Sequence, residues 1–327
     1  MTTRAVHETY ATRPSASGRG AWRLVLGAVA LAATVPYLTL KTAWLAGSRV
    51  GIPAGSVLNE PGLLFTVANS VTLAMDACVL LLVLVLTRPW GIRVPSPLLS
   101  VPVFVATGLL TPILTGFPGQ LLIRALGGGP DPAVEAAREP FLDPWVFTVV
   151  YAGFTVQGLA LAGLFVPYAR ERWGGRWRGV LGERQASPTG VVAAAAAVAG
   201  TMVAAVYLYW AFGGTAGVNA AQVAQWSPEA GLVSAIHAAG ALAAGAGALF
   251  LARGGRRRAR GPVAVAWTGS AMAASWGLYL LIASSGGKLE EATETTTVMY
   301  LTYAGQMVTG LLAATVLSRY LTSRRAV

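Results

Sequence analysis

The chain has 327 residues, of which 55% are hydrophobic and only 11% are charged, and its mean hydropathy is +0.60. These values exclude an ordinary soluble globular domain, in which about 25% of residues are charged. The net charge of +11 does not indicate a nucleic-acid-binding protein either, because the basic residues form no folded basic face and no known binding motif.

Eight apolar runs follow one another along the chain. Each is long enough to cross a hydrocarbon core of about 30 Å as a helix. The runs lie at residues 21–46, 62–87, 97–126, 144–169, 190–212, 230–252, 262–284 and 297–318. The sequence therefore predicts an all-α, polytopic membrane protein with eight transmembrane helices.

The charged residues between the runs predict the orientation. Most of the 24 Lys and Arg residues fall on one side of the eight spans, and the positive-inside rule makes that side cytoplasmic. We expect a multi-pass protein of the bacterial inner (cytoplasmic) membrane with both termini in the cytoplasm. Its predicted parts are a tail (1–20), a four-helix half (21–169), a basic linker (170–189), a second half (190–318) and a final tail (319–327).

The two halves share sequence, which predicts an internal duplication. Tyr151-Ala-Gly-Phe-Thr-Val-Gln-Gly-Leu in the fourth run returns as Tyr303-Ala-Gly-Gln-Met-Val-Thr-Gly-Leu in the eighth. Trp44-Leu-Ala-Gly-Ser-Arg-Val-Gly likewise matches Trp210-Ala-Phe-Gly-Gly-Thr-Ala-Gly, and Glu60 matches Glu229 more weakly. Four spans per half predict parallel repeats with a ligand site between them. The alternative is coincidence between helices that are rich in Ala, Gly and Leu.

The third run contains Pro102, Pro112 and Pro118. Three prolines oppose a regular helix, and the segment from Thr111 to Gly119 is expected to open the outer end of this span. A broken helix is tolerated only where protein or a cavity satisfies its backbone. The prolines therefore predict a cavity in the outer half of the membrane.

Few ionisable residues lie at membrane depth, and such residues are functional candidates by default. Asp76 lies near the midplane of the second run, with Asn69 and Thr72 on the same helical face. Held protonated, its carboxyl group could donate a proton; the alternative is a neutral acid hydrogen-bonded to a neighbouring helix. Lys41 is expected either to extend its amine to the interface or to pair with Glu60. His237 is either a packed polar residue or part of a ligand site.

These residues predict one outward cavity between the halves. We expect Asp76, Glu60 and Glu229 as alternative catalytic acids. The predicted substrate-binding residues are Asn69, Lys41, Trp44, Tyr151, Trp210, His237, Trp276, Tyr303 and Gln306. The aromatic residues among them have a second explanation, the belt of Trp and Tyr at the membrane interface.

The segments Pro36-Tyr-Leu-Thr-Leu-Lys-Thr-Ala-Trp44 and Tyr209-Trp-Ala-Phe-Gly-Gly-Thr-Ala-Gly217 resemble segments of uncharacterised bacterial multispanning proteins. In layout, the chain also resembles the membrane-bound terpene cyclases of bacterial secondary metabolism. This second resemblance implies an isoprenoid substrate and a cyclisation started by protonation.

The leading functional hypothesis is therefore a membrane enzyme that acts on a lipid-soluble, for example prenylated, substrate. A small-molecule exporter, immunity protein or permease is the first alternative, and an accessory membrane subunit is the second. No cofactor or metal is expected, because the chain lacks nucleotide-binding and zinc-protease motifs. The expected partners are an apolar small molecule and the bilayer, and no nucleic acid.

Overall fold

The structure, a computed structural model, describes residues 16–59, 63–129, 142–285 and 294–324. Eight helices in this part of the chain are long and apolar enough to cross a membrane, which confirms the prediction of a multi-pass membrane protein. They are α1 Ala16–Leu45, α2 Leu63–Thr87, α3 Ser96–Ala125, α4 Pro144–Trp173, α5 Thr189–Ala211, α6 Pro228–Arg253, α7 Arg260–Ser285 and α8 Thr297–Ser323. We call α1–α4 the first half and α5–α8 the second half.

The shorter elements lie between these helices. They are the helix Ala220–Ala224, the 3₁₀ helices Val57–Asn59, Pro89–Arg93 and Gly174–Trp177, and the strands β1 Val180–Gly182 and β2 Gly255–Arg258. Three of the long helices extend into the segments predicted as tails and linker, because α1 begins at Ala16, α4 ends at Trp173 and α8 ends at Ser323. A helix can extend beyond the hydrocarbon core where Lys and Arg side chains place their charged ends in water. The length of an apolar run therefore underestimates the length of the helix.

The strands join two of the basic loops. β1 precedes α5, β2 joins α6 to α7, and they pair antiparallel with Val180 opposite Arg258. Arg324, after α8, donates hydrogen bonds to the backbone carbonyls of Arg178, Val180 and Leu181. We call this side of the bundle the arginine-rich end and the other side the opposite end.

The third helix is continuous through all three prolines, so the break expected at its outer end is not found. The neighbouring helix α7 supports it. The indole N–H of Trp276 donates to the carbonyl of Leu109 (3.2 Å), and that of Trp267 donates to the hydroxyl of Thr107 (3.3 Å). Both bonds join α3 to α7 in the turn before Pro112.

The same pairs of helices touch in both halves. α5 packs on α6 and α8, α6 packs on α7 and α8, and α7 packs on α8; α1–α4 show the corresponding five pairs. The halves are joined mainly by α3, which packs against both α6 and α7. This joint places α3 and α7 at the centre of the molecule.

The loops that follow α1 and α5 have the same geometry. The indole N–H of Trp44 donates to the carbonyl of Val50 (2.8 Å), and that of Trp210 donates to the carbonyl of Ala216 (3.0 Å). Each loop then has two glycines at positive φ, at 90° and 75° in the first and at 84° and 80° in the second. A side chain rarely adopts these backbone angles, which explains the glycines that the two segments share.

Candidate functional site

A half-buried lysine of the first half contacts several neighbouring side chains at the opposite end. The amine of Lys41 on α1 donates to the side-chain oxygen of Asn69 on α2 at 2.7 Å. Tyr37 and Trp44 lie one turn before and after Lys41 on the same face of α1, so its amine is 5.0 Å and 5.3 Å from their ring centroids. Both distances suit a cation–π contact. The ammonium group is therefore satisfied by an amide and two rings.

Asp76 lies two turns beyond Asn69 along the same face of α2, and only 5% of it is exposed. Its Oδ2 atom has no hydrogen-bond partner. Asp76 interacts electrostatically with Lys41, but among the described residues the two groups do not come within 4.0 Å as an ion pair. Most buried polar atoms have a partner, so an unoccupied carboxyl oxygen is the feature expected of a group that meets a ligand.

The other two predicted acids differ from Asp76. Glu229, at the start of α6, is buried and holds Arg124 of α3 with both carboxylate oxygens, one of them 3.0 Å from Nη2. This ion pair links the two halves at the opposite end. Glu60 lies outside the described residues. Asp76 is therefore the predicted acid for which the structure provides a free oxygen.

The second half contains a hydrogen-bonded polar cluster. Tyr207 on α5 donates to Oε1 of Gln306 on α8 at 2.6 Å, and Nε2 of Gln306 lies 3.1 Å from Nδ1 of His237 on α6. Because the tyrosine fixes the amide, Gln306 donates to His237, whose own proton then lies on Nε2. All three residues are buried. His237 is thus oriented by two neighbouring helices.

Tyr207 and His237 of this cluster belong to a row of five neighbouring rings that extends towards the first half. They are Trp210, Tyr207, His237, Trp276 and Tyr279, with successive centroids 5.5, 5.1, 5.3 and 5.2 Å apart. Trp276 in turn donates to the carbonyl of Leu109 on α3. The polar cluster of the second half is therefore connected to the first half through an aromatic side chain.

The two matched tyrosines have different surroundings. Tyr151 on α4 stacks between Phe117 and Phe147 and is 37% exposed, whereas Tyr303 on α8 is 6% exposed. Tyr207 was not among the residues predicted to bind the substrate. Its position in α5 matches that of Lys41 in α1 when Trp210 is aligned with Trp44, and that alignment was the available signal.

The structure also has a large cavity, which we call the inner cavity, at the arginine-rich end. Its volume is about 910 Å³, and its walls come mainly from α3, α4, α7 and α8. It reaches Gly158, halfway along α4. None of the described residues predicted to form the site lines it. The prolines of α3 had suggested a cavity in the other half of the membrane. The inner cavity was not predicted, because the sequence does not show that α4 and α8 leave space between them.

The chain matches no protein-family model, no curated protein and no solved structure. In the part of the chain that the structure describes, no three His, Cys, Asp or Glu residues are grouped to hold a metal ion. The two polar clusters and the inner cavity are therefore the features of the molecule that indicate a function.

Proposed function

We propose that the protein is an integral membrane enzyme that acts on a lipid-soluble, for example prenylated, substrate. The observation that carries this proposal is the buried carboxyl group of Asp76, with one oxygen unoccupied and with a lysine and aromatic rings nearby. A proton donor, a dry environment and rings that stabilise a cation are the requirements of a cyclisation started by protonation.

In the proposed reaction, Asp76 gives its proton to an alkene carbon or an epoxide oxygen of the substrate. With an alkene, the π electron pair forms the new C–H bond and leaves a carbocation. With an epoxide, an oxygen lone pair takes the proton, and the C–O bond breaks with its electron pair going to the oxygen, which again leaves a carbocation. An internal double bond captures the carbocation to close a ring. Trp44 and Trp276 would stabilise the cation. The carboxylate then regains a proton from a neighbouring carbon, so the reaction is a net isomerisation. Lys41 would stabilise the carboxylate while it is charged.

The duplication is part of the same proposal. The paired loops after α1 and α5 and the five shared helix pairs support two parallel four-helix repeats. We place the arginine-rich end and both termini in the cytoplasm of a bacterial cell, on the basis of the positive-inside rule. Asp76 and His237 then lie at positions where the repeats differ.

The experiment compares lipid extracts of membranes that contain the wild-type chain, Asp76→Asn or no chain. We expect a product that appears with the wild type to be lost with Asp76→Asn, because an amide cannot supply the proton; general acid catalysis contributes about 100- to 10,000-fold. Glu229→Gln should keep the product, since the carboxylate of Glu229 is already held by Arg124, and Glu60→Gln tests the remaining predicted acid. A product that persists unchanged in Asp76→Asn would exclude the proposed role of Asp76.

A permease or exporter is the second candidate, and the inner cavity favours it. The cavity lies between elements of both halves at one end of the bundle, as in a transporter that opens to one side. Asp76 would then carry a proton. Uptake or release driven by a pH gradient in sealed vesicles, without a new product in the lipid extract, would support transport over catalysis.

A further inference from the structure

The inner cavity has two chemically different parts. Its walls are apolar, with Phe104 and Leu114 of α3, Phe165 of α4 and Trp267 of α7. Trp267 stacks on Phe165 (5.9 Å) and meets Phe104 edge to face (5.3 Å). A cavity with such walls holds an apolar molecule better than it holds water, because bound water needs several polar partners.

The rim at the arginine-rich end is basic. Arg170 of α4, Arg176 of the following 3₁₀ helix and Arg260 of α7 line it, and no acidic side chain is among the described lining residues. The side chains of Arg170 and Arg260 have no hydrogen-bond or ion-pair partner within the described ranges. Guanidinium groups bind phosphate with two parallel hydrogen bonds, so the rim is complementary to an anionic headgroup.

We propose that the inner cavity binds a membrane lipid with a phosphate headgroup. The phosphate contacts Arg170 and Arg260 at the rim, and the hydrocarbon tail lies between α4 and α8 against Trp267. The volume of about 910 Å³ is within the usual range of ligand pockets, about 300–1,000 Å³. This site goes beyond the proposed function, because it does not involve Asp76 or the polar clusters.

The test measures which lipids stay bound to the purified full-length chain. The wild type and its variants are reconstituted in phosphatidylcholine vesicles with a minor fraction of phosphatidylglycerol, and bound lipid is counted by native mass spectrometry. We expect the wild type to retain phosphatidylglycerol in preference. Arg170→Gln and Arg260→Gln should each lower that retention about fivefold. This is the loss of affinity expected when one basic side chain beside an anionic lipid is removed.

A second pair of variants tests the tail. Ala264→Phe fills the cavity from α7, whereas Val191→Phe adds the same bulk on α5, at an exposed position that does not line it. Retention should fall in the first and stay at the wild-type level in the second. Arg256→Gln on β2, also outside the cavity, is the charge control. A size-exclusion elution volume and a melting temperature equal to those of the wild type show that each variant is folded.

Three results would overturn the proposal. An equal loss in Arg256→Gln and Arg170→Gln would mean that the lipid is held by general surface charge. Unchanged retention in Ala264→Phe would place the lipid outside the cavity. Inorganic phosphate that displaces phosphatidylglycerol at equal concentration would also contradict the tail contact, since a headgroup alone would then suffice. None of these readouts depends on catalysis or transport, so they remain independent of the role of Asp76.

Discussion

At the scale of single residues, each half holds its buried polar groups in a different way. Lys41 is paired with Asn69, and His237 with Gln306 and Tyr207. Of the described residues, Asp76 and Gln157 are the ones with a fully buried side-chain oxygen that has no partner. Because leaving such an atom unpaired costs about 1–3 kcal/mol, these two positions reduce stability unless a ligand occupies them.

The pairing of Lys41 with Asn69 leads to a prediction about stability. Asn69→Leu should lower the free energy of unfolding by about 2 kcal/mol, because it leaves the ammonium group without its hydrogen-bond acceptor. Lys41→Met combined with Asn69→Leu should cost less than the sum of the two single changes. The measurement is unfolding in mixed micelles at increasing dodecyl sulfate concentration. Strictly additive costs would mean that the two side chains do not interact.

The residue types at the site were predictable from the sequence, but their partners were not. Charge and depth were enough to select Lys41, Asp76 and His237. The hydrogen bond between Lys41 and Asn69 was not predicted, because the depth of a residue on a helix does not give the rotation and tilt of that helix. The alternative pairing of Lys41 with Glu60 stays a prediction, since Glu60 lies outside the described residues. Gln157 gave no signal at all, since one glutamine among small residues does not interrupt an apolar run.

At the scale of helices and strands, the bounds of all eight long helices followed closely from the apolar runs. The strands were not predicted, because Val180–Gly182 and Gly255–Arg258 are too short for an alternating pattern and consist mainly of Gly and Arg. The continuity of α3 through its three prolines was also not predicted. The prolines are visible in the sequence, whereas the hydrogen bonds that α3 accepts from Trp267 and Trp276 of α7 are not, because the two helices are distant along the chain.

The contact between α3 and α7 depends on a close approach at Gly108. A Cβ atom there would lie 2.2 Å from the carbonyl oxygen of Ala271, whereas a Cβ at Gly116 would meet only Ile236 at 3.5 Å. We expect Gly108→Ala to destabilise the protein by about 1–3 kcal/mol through overpacking.

Gly116→Ala is the matched control on the same helix. It should be neutral or stabilising by up to about 1 kcal/mol, because alanine favours a helix. Both variants can be compared by thermal unfolding in detergent. Equal melting temperatures for the two would show that α3 and α7 are not packed at Gly108 as described.

At the scale of the whole molecule, the two halves differ in packing. In α1–α4, 22–28% of each apolar window is buried inside the protein, compared with 33–56% in α5–α8. The second half thus forms most of the protein interior, and the first half exposes more of its surface to lipid. Asp76 lies in the loosely packed half, whereas His237 lies in the densely packed one.

The proposed duplication predicts equal effects at matched positions. Trp44→Phe and Trp210→Phe each remove an indole N–H that donates to the carbonyl six residues later. Each should cost about 1 kcal/mol, and the two costs should add, because the sites lie in separate halves.

Trp90→Phe serves as the control for this pair, since Trp90 is half-exposed and lies in a 3₁₀ helix at the arginine-rich end. Unfolding in mixed micelles should detect little change. A cost at Trp44 without any at Trp210 would contradict the equivalence of the two loops.

The contacts of Arg324 affect how the protein is best produced. Its guanidinium joins the end of α8 to the backbone between Arg178 and Leu181. Arg324 lies three residues before Val327, the last residue of the sequence. A purification tag fused directly after the helix, or a truncation that removes Arg324, would release the segment before α5 from α8. A tagged protein should therefore keep Arg324 and carry a spacer between α8 and the tag.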